Sequence, residues 1–361
     1  MSEGAPGLAS DVLISAQGNL GRITLNRPKA INALTLGMVE AIAVALEGWR
    51  HDERIRAVIL DGAGDRGFCA GGDVRQLYDH RPPQSDFAFR FWRREYLLDH
   101  AIASYGKPII ALLTGLVMGG GAGLGINATV RIVDASTRFA MPETGIGLVP
   151  DVGASWFLSR CPGETGVWLA LTGEVIGAGE MLELGLADAA VKRDQHSALV
   201  TDIASALDSH GTAAAAIASA LRAHGRPAAS RMTPLRTMIA RCFCADRIED
   251  ILAALETDAS DWAIMTAASI RSKSPQMQKV ALRALRLGQQ SPDLASCLAR
   301  EFRIVSHAAV GGEFYEGVRA AVIEKDRAPQ WQPPTLADVS EAMVESYFAP
   351  VSDEFVIPAK P

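Results

Sequence analysis

The sequence predicts an α/β fold with a helical C-terminal region. Three observations predict it. Short apolar runs, at residues 22–26, 57–60, 108–113 and 129–133, have the composition of strands. Apolar residues at helical spacing lie between them, as at Met38, Ile42, Leu46 and Trp49. After about residue 200 the text turns alanine-rich and helical, and strand signals nearly vanish. Alternation of strand and helix is the signature of parallel crossovers, so the first two hundred residues are expected to carry the sheet.

Each element has its own local reason. Residues 1–10 lack apolar periodicity and read as a flexible tail. The run 22–26 is closed by Arg27-Pro28, where proline cannot continue a ladder. Thr35 is placed to cap the next helix. The run 57–60 ends at Asp61-Gly62, and a glycine-rich loop continues to Gly72. Residues 76–100 are polar and aromatic, and helical in their second half. The run 108–113 precedes a glycine-rich stretch, 119–125. Helical text recurs at 212–224, 248–255, 277–288 and 294–306. A proline-rich connector, 328–334, leads to a last helix at 336–347. The change of character between 195 and 230 divides the chain into a tail (1–10), a core (11–200) and a helical region (201–361).

Composition narrows the function classes. The chain has 361 residues, 48% hydrophobic and 21% charged, which is ordinary for a folded protein. A net charge of -6 argues against general nucleic-acid binding, because no basic excess exists to neutralise phosphates. The first residues have neither a basic start nor a long apolar core, and no run approaches membrane-spanning length. Five cysteines without a C-x-x-C pair suit reduced thiols, and a cytoplasmic location is expected. The seven histidines show no metal spacing, no G-x-S-x-G elbow exists, and the glycine-rich stretch matches neither a dinucleotide fingerprint nor a Walker loop. No metal and no cofactor are expected.

Three clusters carry candidate chemistry. Phe68-Cys69-Ala70-Gly71-Gly72-Asp73 comes after a strand and can be an ordinary tight turn, or a turn whose N–H groups face an anion. Met118-Gly119-Gly120-Gly121-Ala122-Gly123 opens a helix, where unpaired N–H donors are available, although close helix packing explains glycines equally well. In the segment from Met141 to Gly153, Glu143 and Asp151 stand among Ile146, Leu148 and Val149. Acids in such company are either loop acids or buried groups with raised pKa, usable for acid–base work.

Taken together, these clusters resemble the crotonase (enoyl-CoA hydratase/isomerase) superfamily. The likeness begins at Ile23-Thr24-Leu25-Asn26-Arg27-Pro28 with Asn32-Ala33-Leu34 and continues through the three clusters. Pro150-Asp151-Val152-Gly153-Ala154-Ser155 and Glu313-Phe314-Tyr315-Glu316-Gly317 extend it to the 3-hydroxyisobutyryl-CoA hydrolase branch. The resemblance implies a crotonase-like ββα spiral core and action on an acyl-CoA thioester. It puts oxyanion-hole N–H groups at Ala70 and Gly120, the acid/base at Glu143 and a second carboxylate at Asp151. Gly71, Gly72, Asp73, Gly119 and Gly121 are expected to line the substrate site. Glu95 matches a substrate-contacting acid, while Arg93 and Arg94 beside it equally allow a surface salt bridge. Arg27 and Lys29 are candidates for the CoA phosphates.

One departure discriminates between reactions. A typical hydratase carries a second glutamate at the position held here by Gly123. The resemblance therefore favours hydrolysis of a β-hydroxyacyl thioester over hydration or isomerisation of an enoyl-CoA; a catalytically silent CoA-binding protein is a third reading. Relatives of this kind usually trimerise, and the longer tail here leaves a homo-oligomer, trimer or dimer, as the expectation.

Overall fold

The computed structural model describes residues 10–209 and 211–357; residues 1–9 of the expected tail lie outside the described residues. Strand β1 (Val12–Gln17) turns at Gly18, φ +58°, into antiparallel β2 (Leu20–Leu25). The sequence reading missed β1, because only Val12 of its six residues is buried and no alternation marks it. Helix α1 (Leu36–Arg50) starts at Thr35, whose side chain accepts the Met38 N–H, and buries Met38, Ile42 and Leu46. Trp49 lies over Gly21 so closely that a Cβ there would come within 2.6 Å of the indole.

From β3 onward the chain winds as a spiral with a repeating step. Strands β3 (Ala57–Gly62), β5 (Ile109–Leu113) and β7 (Val130–Val133) join one sheet; β4 (Gly67–Cys69), β6 (Leu116–Met118) and β8 (Arg138–Ala140) join a second. Each turn of chain thus gives one strand to each sheet. With β9 (Ala189–Ala190) the large sheet has the order β1-β2-β3-β5-β7-β9, parallel from β2 onward, and the small sheet the order β4-β6-β8, all parallel. Helices α2 (Val74–Asp79), α3 (Phe87–Ala103) and α4 (Gly120–Ile126) come after strands of the small sheet or link its turns. The fully buried text of β5 reflects cover on both faces.

One apolar core extends from Val12 to Phe355 and joins the spiral to the C-terminal helices. A smaller one lies on the other face of the large sheet. There Ala57, Ile59, Ile110, Leu112 and Ile132 meet Leu199, Ile203 and Leu207 of helix His196–Ser209, with Ile217 of helix Ala213–His224. The division drawn at residue 200 therefore runs through a helix that belongs to the sheet's cover. Beyond it, helices Ile248–Asp258, Asp261–Arg271, Pro275–Gln289 and Leu294–Val310 wrap back towards α3, and Phe302 meets Tyr96 edge-on at 6.3 Å. The last expected helix is two pieces, a 3-10 turn Leu336–Asp338 and a helix Glu341–Ser346. Ser340 starts the second piece by accepting the Met343 N–H. Among the described residues no helix is long and apolar enough to cross a membrane.

Candidate active site

The two glycine clusters meet because β4 and β6 are neighbours. Each strand ends in a turn at the same edge of the small sheet. Gly71 adopts φ +105°, and a Cβ there would lie 3.5 Å from the Gly120 nitrogen. Gly119 adopts φ +49° and starts α4. Gly121 lies against Cys69, where a Cβ would meet the Cys69 carbonyl oxygen at 2.5 Å. Glycine is thus required for the close approach of the two turns, not only for their dihedrals.

The backbone donors at these turns differ from expectation. The Ala70 N–H, predicted as an oxyanion donor, is engaged with the Ile31 carbonyl at 2.9 Å. The Gly71 N–H faces the Cys69 sulfur at 3.4 Å. At Gly72 the carbonyl accepts the Val74 N–H, while the residue's own N–H has no partner among the described residues. The Gly120 N–H, in the first turn of α4, is likewise free. The available pair is therefore Gly72 with Gly120, and Ala70 is corrected from donor to a residue that pins the turn.

A cavity of about 160 Å³ lies at this edge. Gly72, Gly119, Gly120, Glu95, Glu143 and Asp151 all line it, with Ala70 and Gly71. Helix α3 brings Glu95 in, because Phe91, Trp92, Glu95, Leu98, Asp99 and Ile102 form its buried stripe. Arg93 turns away to Asp353 and the Glu354 carbonyl, and Arg94 is exposed, so the salt-bridge alternative for Glu95 does not occur. Glu143 enters from a short 3-10 turn after β8 and Pro142; its Oε2 is buried and without a partner among the described residues. Asp151 accepts a 2.6 Å hydrogen bond from the Tyr96 hydroxyl. Phe314, from helix Glu313–Val318, closes the cavity from the C-terminal region.

The site is acidic, and its acids are buried. Glu95 is 2% exposed, and burial, then Asp151 and Glu143, raise its pKa. Burial, then Asp151, raises Glu143. Burial lifts Asp151 to about 6, against the stabilising Tyr96 bond. Two further acids stand behind these, and the sequence reading missed both. Asp99, one helical turn from Glu95, is fully buried with both oxygens unpartnered among the described residues, and burial, Glu95, Asp151 and Glu301 hold its pKa up. Glu301, from helix Leu294–Val310, is lifted to about 7 by burial. The i,i+4 spacing of Glu95 and Asp99 on an apolar stripe was a signal for Asp99 and for Tyr96 beside it; nothing local announces Glu301. Among the described residues these acids are not grouped to hold a metal ion. Cys69 is no nucleophile, since burial pushes its thiol up to about 12.

Four predicted residues lie off the cavity. Asp73 caps α2 through the Gln76 N–H, and its other oxygen takes the Arg27 guanidinium at 3.1 Å. Arg27 also donates to the Ala33 carbonyl at 2.6 Å, so it fastens the strand-end loop to the α2 cap rather than presenting a free cation. Gly121 is buried against Cys69, and Lys29 is an exposed side chain away from the lining. A larger cavity, about 1040 Å³, is elsewhere, between Asp134, helix Ala178–Glu183 and Arg226, and none of the clustered acids lines it.

Gly123 explains the missing glutamate. A Cβ there would come within 2.7 Å of the Val152 Cβ and 2.9 Å of Asp99 Oδ1. The space into which a longer side chain would extend is already filled.

Comparison with known proteins gives the family. The family model described as enoyl-CoA hydratase/isomerase matches residues 20–348. The chain is 37% identical to the mitochondrial 3-hydroxyisobutyryl-CoA hydrolase of Danio rerio, over 95% of this chain and 91% of that protein. It is 36% identical to that of Homo sapiens, over 94% and 89%. Among solved structures it resembles a carnitinyl-CoA dehydratase from Mycobacterium thermoresistibile, with TM-score 0.90 and 39% identity over 97% of this chain and 99% of that one. It also resembles an enoyl-CoA hydratase from Rhodobacter sphaeroides 2.4.1, with TM-score 0.87 and 38% identity over 95% and 98%.

Proposed function

Because the chain belongs to the enoyl-CoA hydratase/isomerase family, we propose that it hydrolyses a short β-hydroxyacyl-CoA thioester, 3-hydroxyisobutyryl-CoA foremost, to the free acid and coenzyme A, a step of valine breakdown. The curated relatives named for that reaction support this reading over nearly the whole chain.

The residues divide the work between backbone and side chains. The thioester oxygen takes the free N–H groups of Gly72 and Gly120, which favour the charge that develops when the carbonyl is attacked; one such donor is typically worth about 3 kcal/mol of barrier. Burial and mutual repulsion oppose double ionisation of Glu143 and Asp151, so the pair holds one proton and one negative charge at neutral pH. Glu143, with its unpartnered Oε2, acts on the acyl carbon, directly or through a water molecule. Asp151, oriented by Tyr96, binds the substrate hydroxyl or returns a proton to the departing sulfur. Hydrolysis breaks the C–S bond, places the water oxygen on the acyl carbon and ends with that proton on the thiol. Glu95 borders the acyl group, and the cavity of about 160 Å³ suits a short one.

The observation that carries hydrolysis over hydration is at Gly123. Water addition across a double bond wants two acids flanking one water, and Val152 with Asp99 fills the place from which a second glutamate would project. The names of the two solved relatives favour a second reading, hydration or dehydration of an enoyl-CoA. Assays on purified protein separate the two. Release of free thiol from 3-hydroxyisobutyryl-CoA, lost in Glu143→Gln, is the expected result; hydration of crotonyl-CoA without thiol release would overturn it. A cytoplasmic location belongs to this reading on account of the five free cysteines; the vertebrate relatives are named mitochondrial.

A further inference from the structure

Directly after Asp151 the chain makes a turn that its residues do not favour. Val152 has φ +53° and Gly153 φ +91°. Glycine adopts such angles freely, but a β-branched residue in the left-handed region is a genuine outlier and persists only where its surroundings impose it. Here they do. Glu301, 150 residues further on, places both carboxylate oxygens on the turn: Oε2 accepts the Gly153 N–H at 2.7 Å, and Oε1 accepts the Ser155 N–H at 2.8 Å together with the Ser155 hydroxyl. Asn127 Nδ2 donates to the Val152 carbonyl at 3.1 Å and ties the same turn to α4.

Glu301 does not line the cavity, is 0% exposed and forms no ion pair among the described residues. A buried carboxylate without a cation is expensive unless its hydrogen bonds are good. All its hydrogen bonds go to the two residues that fix the direction in which Asp151 points. We infer that Glu301 is a positioning residue: it holds the left-handed Val152–Gly153 turn, and thereby keeps Asp151 against Tyr96 and over the acyl site. The C-terminal helical region thus completes the site from below as well as closing it through Phe314.

This inference rests on the hydrolysis reading, and its test separates the two. Glu301→Gln keeps the shape and one acceptor but turns an NH2 group towards backbone donors. The variant is expected to stay folded, to lose kcat for thiol release by about tenfold or more, the size of one lost hydrogen bond to a charged group, and to keep KM within about twofold of wild type. In an Asp151→Asn background the same substitution is expected to add no further loss, because it acts through Asp151. An equal additional loss in that background, or a folded Glu301→Gln protein with full kcat, would overturn it. Should Glu301→Gln fail to fold, Ser155→Ala removes only the hydroxyl bond; a drop in kcat of a few-fold is expected, and unchanged kcat would refute the clamp. A crystal structure of the folded variant decides independently of activity. Val152 leaving the left-handed region, with the 2.6 Å Tyr96–Asp151 bond lengthened, is the expected result; an unchanged turn overturns the inference. A wild-type protein that releases no thiol would instead count against the hydrolysis reading alone.

Discussion

Gly121→Ala tests whether the site depends on how closely two backbone turns approach. Gly121 does not line the site cavity and sits in α4, where alanine is intrinsically the better residue. Yet an alanine Cβ would fall 2.5 Å from the Cys69 carbonyl oxygen and 2.6 Å from the Cys69 Cβ. Ordinary contact begins at 3.4 Å, so α4 and the Cys69–Gly72 turn must part by about 0.9 Å. A hydrogen bond of about 2.9 Å stretched by that amount is effectively broken. If Gly120 and Gly72 are the oxyanion donors, one of the two is lost, and kcat for thiol release should fall about 10²- to 10³-fold. The assay is thiol release monitored with a chromogenic disulfide, together with thermal unfolding to confirm the fold. A folded Gly121→Ala protein with kcat within about threefold of wild type would refute the donor assignment.

The same geometry has other consequences. Glu143→Gln and Asp151→Asn should each lower kcat about 10²- to 10⁴-fold with the fold retained; steady-state kinetics and calorimetry check both. Because the pair must lose its first proton before Glu143 can act, kcat/KM should rise with pH through about 6, the value to which burial lifts Asp151, with the remaining proton shared between the two acids; a flat profile from pH 5 to 8 would contradict this. Stability should run the opposite way. Folded-state pKa values of Asp151 and Glu301 are raised, to about 6 and about 7, so their favourable contribution is complete below the ordinary carboxylate range and is lost as pH rises through 6 to 7. At about 1.4 kcal/mol per unit, Glu301 alone removes about 3 kcal/mol by pH 8, read as a lower urea midpoint at pH 8 than at pH 5. Gly123→Glu should overpack Val152 and Asp99, destabilise the protein by about 1–3 kcal/mol or more and confer no hydration of crotonyl-CoA. Arg27→Ala should lower stability, through the lost Asp73 and Ala33 contacts, and leave KM within about threefold.

How much of this was legible depended on whether the cause was local. Strands β3 and β5 of the large sheet declared themselves through continuous apolar runs, because burial on both faces leaves no polar side to alternate. Thr35 announced a helix start through capping chemistry that acts over three residues. Strand β1 was hidden because its outer face meets water and its inner face supplies only Val12. At the site, the types and order of residues pointed to Glu143, Asp151, Glu95 and the glycine turns. The identity of the free N–H was not legible, since it is decided by the Ile31 carbonyl accepting the Ala70 N–H, a contact 39 residues away in sequence. Nothing local showed that Arg27 and Asp73 pair with each other across 46 residues. Glu301 was invisible for the same reason: an acid inside a helix reads as a solvated face until tertiary packing buries it. Gly123 lay between these cases. Its identity was a visible departure, and its cause, the space taken by Val152 and Asp99, needed coordinates.

The convergence of two backbone donors and two acids on one acyl carbon is tested most directly by a crystal structure with an unreactive ketone analogue of 3-hydroxyisobutyryl-CoA, in which a methylene group replaces the sulfur. The carbonyl oxygen is predicted to lie about 3 Å from both the Gly72 and Gly120 nitrogens, with the Glu143 and Asp151 carboxylates beside the acyl carbon. A carbonyl bound away from those two nitrogens, or an acyl group with the two acids on opposite sides and out of reach, would contradict the account.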